Sequence, residues 1–174
     1  IVTASYDSTA KLWDVSSGKL IIDLKGYSSN VESAQFSPDG KKIIIAFDDG
    51  MSKLIDASNG KQLFNLKGHT SSVESAVFSP DGKKILATST DSSFKTWNPE
   101  TGKLISSIKG HDGFVWSALF NSDGKKIITA SSDNTSKIWD VASGKLLADL
   151  RGHVEDLNEI EYSPNGETIL TTSS

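Results

Sequence analysis

A 42-residue unit recurs along this chain without a gap, and that period restricts the available folds more than any other feature. Ile1, Ile43, Ile85, Ile127 and Ile169 open equivalent apolar runs. Gly26, Gly68, Gly110 and Gly152 hold a second register position, and Trp13, Ile55, Trp97 and Trp139 a third. A repeat of about 40 to 45 residues encloses one supersecondary unit whose apolar faces find cover against its neighbours. The expected units are 27–68, 69–110 and 111–152, with partial ones at 1–26 and 153–174, in one domain of 1–174.

Within a unit the strand signals are short and regular. Val73 to Phe78 is β-rich and ends at Ser79-Pro80-Asp81-Gly82, where Pro sets φ and Gly closes a tight turn. Ile85 to Ser89 reads as a second strand, and Phe94-Lys95-Thr96-Trp97 alternates apolar and polar as a third. Asn98-Pro99-Glu100-Thr101-Gly102 then leads into a fourth, Lys103 to Ile108. Four short strands joined by turns make a small antiparallel sheet that is apolar on both sides. Radial stacking covers both sides, so the expected class is all-β, a propeller of about four four-stranded antiparallel blades.

Charge and composition narrow the function. With 36% hydrophobic and 23% charged residues the chain reads as globular, and its longest apolar run, Ile43 to Phe47, is too short to cross a bilayer. Zero cysteines leave no thiolate nucleophile, cysteine-based metal site or disulfide framework, which fits a cytoplasmic location. All 18 Lys and Arg fall on repeat positions, such as Lys11, Lys53, Lys95 and Lys137. They are expected as solvated gatekeepers that blunt sheet edges. No basic track lies outside the repeat and the net charge is -4, so neither nucleic acid nor membrane is the expected partner.

The chain resembles the WD-repeat family of β-propellers over its whole length. The resemblance rests on Gly68-His69, Gly110-His111 and Gly152-His153, on Trp13-Asp14 and Trp139-Asp140 with Trp97-Asn98 as a near match, and on the Ser-Pro-Asp-Gly turns at 37–40 and 79–82. It implies a rigid, non-catalytic platform for protein binding; no cofactor and no metal are expected. It also implies a hydrogen-bonded chain of His, Ser or Thr, Asp and Trp in each blade. By position, one set is His69, Ser89, Asp91 and Trp97, and another His111, Ser131, Asp133 and Trp139. A His-Asp-Ser trio also suits nucleophilic catalysis, but here it recurs per repeat, includes a Trp and belongs inside a sheet.

The second unit departs from this pattern as a block. It carries Tyr27, Phe47 and Ile55 at the His, Ser and Trp positions while Asp49 remains. Losing one partner strands polar atoms at about 1–3 kcal/mol each, whereas replacing the set by apolar groups is nearly neutral. The second blade is therefore expected to be repacked, and the least regular of the set.

The first strand, Ile1 to Ser5, and the last, Ile169 to Ser173, occupy the same place in the unit. Two completions are open: further blades of a longer chain, or copies of this chain assembling into a ring. A sensor or regulatory module of a larger signalling protein is one alternative function, and an engineered or self-assembling fragment another.

Subtracting the repeat leaves few residues free to bind. All three histidines sit at the Gly-His position, so none is spare for general-base or metal work. The resemblance places the start of each first strand, and the residue before each turn Asp, on the upper face. There the sequence supplies Tyr6, Phe114 and Trp116 among Glu32, Glu74, Asp48 and Asp156. Aromatic anchors ringed by carboxylates suit a peptide or protein partner bearing Lys or Arg. Gap-filling between blades is the other reading of Phe114 and Trp116.

Overall fold

Backbone pairing divides the chain into five antiparallel sheets in sequence order. A computed structural model describes all residues, 1–174. The first sheet holds β1 (Val2–Ser5), β2 (Thr9–Trp13) and β3 (Leu20–Leu24). Three four-stranded sheets follow: β4 (Val31–Phe36) to β7 (Gln62–Leu66), β8 (Val73–Phe78) to β11 (Leu104–Lys109), and β12 (Val115–Phe120) to β15 (Leu146–Arg151). Between them lie β5 (Lys42–Phe47), β6 (Ser52–Asp56), β9 (Ile85–Ser89), β10 (Ser93–Trp97), β13 (Lys126–Ser131) and β14 (Thr135–Asp140). The fifth sheet is β16 (Leu157–Tyr162) with β17 (Ile169–Ser173). Each sheet is a meander of neighbouring strands, and the five form an open arc of propeller blades.

The apolar clusters lie between sheets. Ile43, Ile45 and Phe47 of β5 pack with Ala10, Leu12 and Leu24 of the first sheet. Ile44 and Ala46 of the same strand face the other way, onto Val73, Ile85, Ala87 and Trp97 of the third. Strand alternation therefore gives each neighbour one face of the same five-residue run. Leu86 and Phe94 then join Ala118, Ile127 and Trp139, and Ile128 and Ala130 join Leu157 and Ile160. Stability here is a chain of nearest-neighbour interfaces.

The turn joining the second and third strands of a sheet requires a left-handed residue. Ser8, Ser92 and Asn134 adopt φ of 64° there, and only the second unit uses glycine, Gly50 at 86°. In each turn the preceding aspartate accepts a backbone hydrogen bond two residues on, as in Thr9 N to Asp7 and Ser93 N to Asp91. That local bond offsets the strain of a non-glycine residue with positive φ.

Two expectations are corrected. The second blade is as regular as its neighbours: β4 to β7 repeat the strand order and bulge positions of the third and fourth sheets. Phe47 and Ile55 are buried and Tyr27 meets the Phe47 ring edge-on at 4.8 Å, so apolar residues replace the polar set with no change in the backbone ladder. The lysines are not all solvated gatekeepers either. Lys95 and Lys137 are only 8% and 5% exposed, their stems covered between sheets and their ammonium groups turned to the outer strand.

Candidate functional site

Each complete sheet, and the fifth, carries a β-bulge near the start of its inner strand. The register slips between Val31 and Ser33, Val73 and Ser75, Val115 and Ser117, and Leu157 and Glu159. The extra residues are Glu32, Glu74, Trp116 and Asn158. A bulge re-aims the side chain it frees from the ladder, so four inner strands present one such residue each at the same level. Backbone bonds Asp48 N to Asn30 O, Thr90 N to Ser72 O, Ser132 N to Phe114 O and Ser174 N to Asp156 O fix the next position along the same rim.

The structure brings three of the acidic members, Glu32, Glu74 and Asp48, together with Tyr6. Burial pushes the Glu32 carboxyl above its ordinary range; the neighbouring Tyr6 hydroxyl opposes this, and the charges of Glu74 and Asp48 add to the rise. The Tyr6 hydroxyl is raised in turn, chiefly by the charge of the neighbouring Glu32 carboxylate. Asp48 also accepts from the Asn30 amide at 3.1 Å. Asp156 stands apart: its side chain makes no hydrogen bond or ion pair, and only its carbonyl is engaged, by Ser174 at 3.3 Å.

The aromatic members divide in role. Tyr6 is 71% and Phe114 46% exposed, whereas Trp116 is half-buried, with its indole nitrogen enclosed and without a partner. Phe114 meets Trp116 edge-on at 5.6 Å, and the Trp116 carbonyl accepts from the Thr88 hydroxyl at 3.3 Å on the neighbouring blade. Trp116 thus backs Phe114, and the accessible ring of the pair is Phe114.

Beneath the rim lie the His-Asp pairs. His111 Nδ1 is 2.8 Å from Asp133, and His111 Nε2 is 2.6 Å from the Thr129 hydroxyl, which accepts from the Trp139 indole at 3.0 Å. The chain runs Trp139, Thr129, His111, Asp133, and every polar atom in it is partnered. The expected serines stand elsewhere. Ser131 accepts from the Asp133 amide at 3.1 Å, and Ser89 binds the Ser71 carbonyl and the Asp91 amide, each at 3.1 Å. Register is the reason: Trp139 pairs with Ile127 across the ladder, so its indole reaches the next residue on that face, Thr129, and not the one after. A signal for this was present, since Thr3, Thr129 and Thr171 share a repeat position. Thr3 accepts from Trp13 at 2.9 Å and Thr171 lies 2.8 Å from His153 Nε2.

In the third unit Ala87 occupies that place. His69 Nδ1 is 2.9 Å from Asp91, its Nε2 faces the Ala87 carbonyl at 3.3 Å, and Trp97 turns its indole to the Lys67 carbonyl. Burial lowers the His69 and His111 pKa below the ordinary histidine value, with the paired aspartates acting against it. Burial alone would raise the Asp91 and Asp133 carboxyls, but hydrogen bonds from Ser93 or Thr135 and from the paired imidazole hold both at about 2. Both imidazoles are 1% exposed, which closes them to an external substrate. Thr129→Ala is expected to cost about 1–3 kcal/mol in urea denaturation, because it orphans the His111 and Trp139 nitrogens together. Ser131→Ala should cost less; the reverse order would refute the assignment of Thr129.

Comparison with known proteins agrees with this architecture. The WD domain, G-beta repeat profile matches residues 60–98, 102–140 and 144–174, more than half of the chain. The Anaphase-promoting complex subunit 4 WD40 domain profile matches residues 8–72. WD40 repeat-containing protein HOS15 of Arabidopsis thaliana is 44% identical over 43 residues, 25% of this chain and 7% of the relative. Denticleless protein homolog B of Xenopus laevis is 54% identical over 37 residues, 21% of this chain and 5% of the relative. The matched stretches are thus a small part of either relative. With its repeat, its blades and these matches in agreement, the chain belongs to the WD-repeat family of β-propellers.

Proposed function

We propose that the chain is a non-catalytic protein-interaction scaffold whose upper rim takes a peptide or protein segment bearing lysine or arginine beside an apolar residue. One observation carries the reading: the bulges at Glu32 and Glu74 set two carboxylates on adjacent inner strands, close enough for the charge of Glu74 to raise Glu32. Crowded, partly desolvated carboxylates gain from an incoming cation, since its attraction to both charges offsets their mutual repulsion. Tyr6 offers a π face beside them, and Phe114 supplies apolar area on the same rim. The family relationship favours a binding role, and the imidazoles of His69 and His111 are closed to an external substrate.

Fluorescence anisotropy with short basic, neutral and acidic peptides, each carrying one aromatic residue, tests the reading. The basic set is expected to bind most tightly and to weaken as salt is added. Glu32→Gln with Glu74→Gln should lower that affinity about tenfold, or about 1.4 kcal/mol. Phe114→Ala should lower it by a similar factor with an unchanged melting temperature. Equal affinity for the acidic set, or full affinity in both variants, would refute the site.

A further inference from the structure

Two cations flank one position on the outermost strand of each of the first four blades, but only two of these units put a carboxylate there. In the first unit Asp23 of β3 lies 2.8 Å from Lys11 and 3.2 Å from Lys25. In the fourth, Asp149 of β15 lies 3.0 Å from Lys137 and 2.8 Å from Arg151. The geometry is one motif: a lysine on the third strand faces the acid across the ladder, and a second cation follows the acid by two residues on the same face. The second unit keeps Lys53 and Lys67 around Asn65, but Lys53 turns away and lies over the Tyr27 and Phe47 rings at 4.7 and 5.2 Å.

The third unit keeps both cations and puts a hydroxyl at the centre. Lys95 pairs with Ser107 across the ladder, and its ammonium donates to Ser107 Oγ at 2.6 Å. Lys95 is 8% exposed and has no carboxylate partner; Lys109, two residues after Ser107, makes no ion pair. A covered ammonium held by one neutral hydroxyl is an unbalanced charge. Ser107 itself is exposed, on an outermost strand with a single neighbour.

We propose that Ser107 is a phosphorylation site whose phosphate seats between Lys95 and Lys109, where Asp23 and Asp149 sit in their own units. A protein kinase would catalyse the transfer, with a nucleoside triphosphate as the phosphoryl donor. The Ser107 hydroxyl attacks the γ-phosphorus, an Oγ–P bond forms as the bond to the β-phosphate oxygen breaks, the nucleoside diphosphate leaves, and the hydroxyl proton passes to the kinase's base. The product carries a charge of about -1.5 to -2, which matches two ammonium groups and offers each an oxygen. Modification would therefore fasten β11 to its blade, whereas a phosphate on a strand without the two cations would loosen it.

Two measurements decide this. Folded protein is treated with a broad-specificity serine kinase and ATP, and the product is mapped by tandem mass spectrometry. Phosphate at Ser107 is expected, and its absence there would overturn the site. Protein carrying phosphoserine at 107, introduced during translation, should melt about 3 °C above the unmodified chain. Lys109→Gln should remove at least half of that rise. Phosphoserine at 106, on the opposite face where Ser106 bonds Thr96 at 2.7 Å, should lower the melting temperature instead. No rise at 107, or an equal rise when inorganic phosphate is added to the unmodified chain, would overturn the covalent assignment.

Discussion

Acidification from neutral pH to about 2 is expected to remove about 4 kcal/mol of stability through Asp91 and Asp133 alone. Both carboxyls are held at about 2, against an ordinary value of 3.8 in the unfolded chain. A folded-state pKa below the unfolded one stabilises the fold above pH 3.8, and the contribution drains away as pH falls through 3.8 towards 2. Each carboxylate then supplies about 2 kcal/mol at neutral pH. Their side chains are 7% and 12% exposed, so solvent screening removes little of it. His69 and His111 start the decline earlier. Burial keeps them neutral in the folded protein, so below the ordinary value of 6.5 the unfolded chain binds the extra protons and stability falls with pH. Such a loss is a large share of a net stability of about 5–15 kcal/mol. Urea denaturation at stepped pH measures it. The double variant Asp91→Asn with Asp133→Asn should be weaker by a comparable amount at pH 7 and nearly equal to the parent at pH 2. Parallel curves for the two proteins below pH 4 would refute the assignment.

The architecture was legible because the repeat exposes it several times over. A single Ile-rich run such as Ile43 to Phe47 is ambiguous, but its recurrence with the Ser-Pro-Asp-Gly turns marks the second strand of a sheet. What the period could not convey is geometry below the scale of one strand. Thr129 and Ser131 share a face and a chemistry, and only the pairing of Trp139 with Ile127 shows which hydroxyl the indole reaches. The bulges at Glu32, Glu74 and Trp116 add a residue without altering the spacing of the units, so the upper rim could be named from family resemblance but not aimed. Lysine burial was hidden for another reason: a long apolar stem lets Lys95 and Lys137 occupy a covered position that composition assigns to the surface. The second blade shows the converse, with unusual residues on an ordinary backbone.

That blade also predicts how the third can be rewritten. Trp97→Ile alone should cost about 3 kcal/mol, since it opens a cavity beside His69 and leaves the Lys67 carbonyl without its indole donor. Copying the whole second-unit set, with His69→Tyr, Ala87→Ile, Ser89→Phe and Trp97→Ile, should recover most of that loss. In the second blade the same residues are mutually packed, with Tyr27 edge-on to Phe47 and with Ile45 and Ile55 buried. Lys95 would lie over the new rings as Lys53 does over Tyr27 and Phe47. One neighbour differs: Phe47 and Ile55 pack with Ala10 of the preceding sheet, whereas the third unit meets Ser52 at the equivalent place. The Ser52 hydroxyl is buried without a partner, so Ser52→Ala removes an orphaned polar atom and makes the two interfaces alike. The five-residue variant is therefore expected within about 1.5 kcal/mol of the parent, far from the sum of its single changes, because residues in contact do not act additively. Urea midpoints of the singles and the full set measure this coupling. If the full set is as unstable as the summed singles, apolar and polar blades are not interchangeable solutions of one backbone, and the account of the second blade as a self-consistent replacement is wrong.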